Sequence, residues 1–162
     1  MSYAIADEPH DTPWKHLVVS PAGPLLAEIV VGSWMSLPWF VVNAIALGSP
    51  TKRKEIALCV VQLLVTALLG SLLLWADDRE LIENRTLLQL AMLVIVTWKI
   101  GIAHALTTIQ SRAYQVYELD GGPARTTTFV LSGGILLRPY VQGLFDDPLW
   151  DIIVMGLGGV VG

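Results

Sequence analysis

The sequence predicts an all-α protein, a polytopic membrane helical bundle of about four transmembrane helices joined by short loops. Three observations carry that expectation. Hydrophobic residues make up 54% of the 162-residue chain and charged residues only 15%, against roughly 25% charged in a typical soluble domain. The mean hydropathy is +0.61. Above all, the apolar residues cluster in runs of about twenty, long enough to cross a ~30 Å hydrocarbon core at 1.5 Å per residue. A soluble chain of this size would show amphipathic or alternating stretches instead. One bundle accounts for residues 21–147, preceded by a polar tail at 1–20 and followed by a short apolar segment at 148–162, with no internal repeat.

The tail is slightly acidic, with Asp7, Glu8 and Asp11 against Lys15. A secretory signal places a positive segment directly before an apolar one; that order is missing, so a flexible or surface-lying tail is expected, with Trp14 dipping into the headgroups. The first span is expected from Pro24 to Leu47. Ser20, Pro21 and Pro24 mark its start and Gly48-Ser49-Pro50 its stop. Pro38 removes a backbone hydrogen bond inside it, which predicts a bend between about residues 33 and 38. The basic stretch Lys52-Arg53-Lys54 and Glu55 follow. The second span, Ile56 to Trp75, has only Gln62 and Thr66 as polar interruptions. A charged loop then leads to a third span starting near Leu87, which contains Lys99 and His104. It ends near Ala105 or continues in water as far as the breaker Gly121-Gly122-Pro123. A fourth segment covers Thr127 to Phe145 and carries Arg138-Pro139. The piece from Leu149 to Gly162 is short and glycine-rich, and a frayed end at the interface is the expectation.

Lysine and arginine in short loops orient such a bundle. Lys52, Arg53, Lys54, Arg112 and Arg125 outnumber Lys15, Arg79 and Arg85. This places the 48–55 and 111–126 loops in the cytoplasm and both termini and the 76–86 loop outside.

No catalytic pattern is present: no H-E-x-x-H, P-loop, G-x-S-x-G or paired cysteines. The expectation is a non-enzymatic protein with no cofactor and no metal. Cys59 is alone in an apolar run and reads as a small packed side chain. His10, His16 and Asp11 read as a solvated tail rather than a metal site. Asn84-Arg85-Thr86 fits a glycosylation acceptor only in a eukaryotic secretory pathway. With a net charge of −4 and no basic-aromatic patch, nucleic acid is not an expected partner. The expected partners are the lipid bilayer and another membrane protein or a second copy of this chain.

The informative residues are the ionisable ones at membrane depth: Glu28, Lys99, His104 and Arg138. Each such group costs about 2.5–3.5 kcal/mol near a helix centre. They mark either an ion path or partner anchor, or structural pairing and snorkelling. Gly32 and Ser36, and Ala67 and Ser71, have the spacing of close helix contacts.

Pro24-Leu25-Leu26-Ala27, Asn43, Leu47-Gly48 and the Lys52-Arg53-Lys54 turn, together with Ile109-Gln110-Ser111-Arg112-Ala113-Tyr114 and Gly121-Gly122, resemble a group of small bacterial inner-membrane proteins with four helices. The resemblance implies that fold and localisation and carries no activity with it. Glu28, Pro38 and the segment after Asp146 depart from the pattern. Two roles follow as expectations: an accessory subunit or immunity-type protein acting through helix contacts, or a homo-oligomeric channel or transporter using its intramembrane charges.

Overall fold

The structure is a computed structural model that describes residues 12–82, 84–123 and 127–154. It is all-α, with six helices and no strand among the described residues. The helices are α1 (Ala22–Val30), α2 (Ser33–Ala46), α3 (Lys52–Asp78), α4 (Arg85–Leu119), α5 (Thr127–Gln142) and α6 (Pro148–Val154). A 3-10 turn at Lys15–Leu17 precedes them.

Two helices, α3 and α4, are long and apolar enough to cross a membrane. The expected four spans are therefore not what the helices provide. The main departure is the first one. Pro24 to Leu47 is not a single kinked helix but a helical hairpin. The Asn43 side chain clamps the Val19 backbone, its Oδ1 accepting from Val19 N (3.1 Å) and its Nδ2 donating to Val19 O (2.9 Å). These residues are 24 apart in sequence; a continuous helix would separate them by ~36 Å. The chain turns at Val31–Gly32. Gly32 has φ 116°, a conformation only glycine adopts without strain. Its NH and that of Val31 both donate to Ala27 O, closing α1. Pro38 lies inside α2, so the reversal falls just before the window expected for a proline bend.

Packing defines two ends. Val18, Ala46, Leu47, Ala113 and Tyr117 form one cluster, so the start of α1, the end of α2 and the last turns of α4 share an end with the Lys52 start of α3. Residues 12–21 are docked rather than loose: Val18 and Val19 are fully buried, while Trp14 stays exposed; the rest of the expected tail lies outside the described residues. α5 runs alongside α1, with Thr127 against Gly23 and Gly134 against Val31 and Met35. The opposite end holds the α3–α4 connection and the turn after α5. From there α6 descends along α3, capped by Asp147 Oδ1 accepting from Leu149 N. Leu149 and Ile152 close over Gly70 so tightly that a Cβ there would meet them at 2.9 and 3.0 Å. The expectation of a frayed terminus is corrected for 148–154; residues 155–162 lie outside the described ones.

Burial is inverted relative to a water-soluble protein. Leu64, Leu68 and Leu72 of α3, Leu90, Leu93 and Val94 of α4 and Ile135, Leu136 and Leu137 of α5 are half exposed or more. Glu28, Ser33, Ser36, Asn43, Glu55, Gln62, Thr66, Lys99 and Gln110 are buried. In the most apolar windows of α3 and α4, only 28% and 17% is buried. The core helix of a soluble domain would be mostly covered; apolar side chains left outward around a polar interior suit a lipid surround.

Candidate functional site in the bundle interior

Glu28 sits in the last turn of α1, beside the hairpin tip, and is 2% exposed. Across the tip, Ser33 Oγ donates to Glu28 Oε1 at 2.5 Å. Lys99 of α4, also 2% exposed, brings Nζ within 4.0 Å of the same oxygen. A single straight span from Pro24 to Leu47 would leave Glu28 about one turn from its end. Folding the hairpin back places both in the interior and lets them pair.

Lys99 has a second engagement. Its Nζ donates to Ile152 O (3.3 Å) and Ile153 O (3.2 Å) of α6. Carbonyl oxygens beside a buried ammonium offset part of the cost of taking it out of water. One ammonium therefore joins two elements entering from opposite ends: the α1–α2 tip and α6. The contact with the carbonyls is the closer one.

Around this pair lies a polar lining from α2 and α3. Gln62 Nε2 donates to Ser33 Oγ at 3.5 Å. Glu28 Oε2, Ser36 Oγ, Gln62 Oε1 and Thr66 Oγ1 are buried and make no hydrogen bond with protein atoms. Buried polar atoms are nearly always satisfied, by protein or by ordered water. Four of them gathered beside an ion pair give a place where a proton, a water or a small cation would find acceptors.

A second buried carboxylate, Glu55, was missed in the sequence because it ends the basic stretch before the second span. It is fully buried. Ser49 Oγ and Thr51 Oγ1 (2.7 Å) donate to its Oε1, and Gln110 Nε2 donates to Oε2 at 2.8 Å and to Phe40 O at 2.7 Å. A signal for it existed. Glu55, Cys59, Gln62, Thr66 and Gly70 recur at spacings of four and three along α3 and form its buried face, which is the helical repeat. The two polar interruptions noted in that span continue a stripe that Glu55 begins.

Of the four expected site residues, Glu28 and Lys99 come together. His104 is exposed on α4, and Arg138 is half-buried one turn from the end of α5; neither joins the pair. His16 is exposed and Cys59 is buried in the cluster with Phe40 and Leu106. Asn84 caps α4 through its side chain, accepting from Thr86 N. No group of three or more potential metal-ligating side chains occurs among the described residues. Compared with known proteins, the chain matches no family model, no curated relative and no solved structure.

Proposed function

We propose that this chain is a multi-pass protein of a bacterial inner membrane whose polar interior carries protons or small monovalent cations, acting as one subunit of a homo-oligomeric channel or transporter. The end bearing Lys15, Lys52, Arg53, Lys54 and Arg112 faces the cytoplasm, in line with the positive-inside bias. α3 and α4 cross the bilayer, the α1–α2 hairpin enters from the cytoplasmic side, and α6 enters from the other.

One observation carries the reading: Glu28 and Lys99 pair in the buried interior, where the α1–α2 hairpin turns and α6 meets them from the other end. Interrupted helices persist at membrane depth where their freed backbone groups are buried in protein or line a site, and intramembrane carboxylate–lysine pairs mark ion and proton paths. Glu28 is the exchangeable group, because Lys99 keeps its two carbonyl partners when Glu28 takes up a proton. The line Glu55, Gln62, Glu28 supplies polar atoms from the cytoplasmic end inward.

The second reading, an accessory or immunity-type protein acting through contacts, is favoured by the same lysine. Lys99 ties α1, α4 and α6 together, and a node that only locks the fold needs no transported ion.

Reconstituted liposomes with a trapped pH-sensitive dye separate the two. The intact protein is expected to dissipate an imposed proton or potassium gradient, and Glu28→Gln is expected to remove that flux while keeping the native mass of the oligomer. Gradients held as well as in empty liposomes, by protein of unchanged mass and helicity, would turn the assignment to the contact-based reading.

A further inference from the structure

We infer that the cavity between the start of α3 and the cytoplasmic half of α4 binds the headgroup of an anionic phospholipid, one whose headgroup also carries hydroxyls. The inference rests on the membrane orientation proposed above but not on ion flux.

The cavity encloses about 490 Å³ and is lined by Ser49, Pro50, Thr51 and Lys54 on one side and Thr108, Ile109, Arg112, Ala113 and Val116 on the other. Its two cations come from different helices, so they converge only because α3 and α4 pack side by side. Both are exposed, as are the adjoining Lys52 and Arg53. A guanidinium and an ammonium facing one space suit a phosphate: the planar fork takes two of its oxygens and the lysine a third. Glu55, next to Lys54 in the chain, does not compete for them. It is fully buried and already accepts from Ser49, Thr51 and Gln110.

The hydroxyls add selectivity. Thr51 donates its proton to Glu55, and Thr108 donates to His104 O at 3.0 Å. Their oxygens therefore meet a ligand as acceptors, which matches a headgroup bearing donor hydroxyls such as glycerol and not a quaternary ammonium. Pro50, Ile109, Ala113 and Val116 supply an apolar wall for the glycerol backbone and the first acyl carbons. A soluble phosphate would satisfy the two cations and leave that wall uncovered. Basic pockets between helices on the cytoplasmic side are where anionic headgroups are held.

The test uses the full chain, delipidated in mild detergent, with native mass spectrometry and thermal unfolding as readouts. Phosphatidylglycerol is expected to remain bound at one per chain and to raise the unfolding temperature, while phosphatidylcholine and inorganic phosphate do neither. The K54Q/R112Q double variant is expected to lower phosphatidylglycerol retention by about tenfold or more, and K52Q/R53Q to lower it far less. Equal retention of phosphatidylcholine would overturn the site, as would an equal loss in K52Q/R53Q. A stabilisation by inorganic phosphate matching that of the lipid would overturn the lipid as its source. The comparison among lipids on the unmodified chain stands even if a variant fails to fold, and flux plays no part in it.

Discussion

Near the end that carries Lys52 and Arg53, Glu55 is held by two hydroxyls and an amide. Further inside, Glu28 accepts from the Ser33 hydroxyl, lies beside Ser36 and Gln62, and faces a lysine. Both carboxylates are buried, yet only the deeper one has a counter-charge. Neutral donors hold Glu55, which lies next to the charged start of α3. In the interior the penalty for an uncompensated ion is several kcal/mol, and a cation has to be built in. Lys99 in turn needs more than one acceptor, which is why the α6 carbonyls share it. Partner type in this bundle follows depth.

The strongest way to break that comparison is Lys99→Met. It leaves Glu28 with no counter-charge and removes the lysine donor from the Ile152 and Ile153 carbonyls. A loss of about 3–5 kcal/mol is expected, the usual effect of removing one partner of a buried pair. Adding Glu28→Gln to the same chain should restore more than half of it, because the stranded charge goes too. Thermal unfolding in detergent reads both. Equal losses in the single and double variants would mean that the lysine acts only through α6.

Glu55→Gln should cost less, about 1.5–3 kcal/mol, the range for hydrogen bonds to a charged group. Ser49 and Thr51 can still donate to an amide oxygen, but the amide nitrogen would face the Gln110 donor. The same unfolding measurement checks it. A loss matching that of Lys99→Met would show that neutral donors do not set the two sites apart.

The smallest effect on stability, and the sharpest on geometry, comes from exposed single cysteines in a chain carrying Cys59→Ala. Trp14→Cys and Arg53→Cys should react from one side of the membrane and Asp78→Cys from the other, with no change in fold. An impermeant thiol reagent applied to intact cells reads this. Trp14 and Arg53 labelling from opposite sides would restore the straight first span and undo the depth assigned to Glu28.

The legible part of this fold was its local part. The long apolar runs marked α3 and α4, and Gly121-Gly122-Pro123 marked where α4 gives out at Leu119. α5 covers Thr127–Gln142 and stops three residues short of Phe145. The hairpin was not legible from hydropathy, because Pro24 to Leu47 has the length of one span and a window average has no direction. The contrary signs were residue-specific. Gly32 can reverse the chain, and Ser33, Ser36 and Asn43 would be costly facing lipid on a lone helix. The site was half legible for the same reason. Glu28 and Lys99 stood out as charges in apolar runs, but their pairing depends on the reversal. Glu55 was masked by its basic neighbours, although its helical register with Gln62 and Thr66 pointed inward.

The Lys99–α6 contact also has a consequence for the order of biosynthesis. α6 is translated after every other described helix, so the carbonyls of Ile152 and Ile153 are the last of these partners to leave the ribosome. Until then Lys99 has Glu28 but not its closer acceptors. The bundle therefore acquires its final buried partner only when α6 folds back over Gly70. A chain cut at Asp147 is expected to insert and then to be recognised as unfinished by membrane proteolysis, with a shorter cellular half-life than the intact chain.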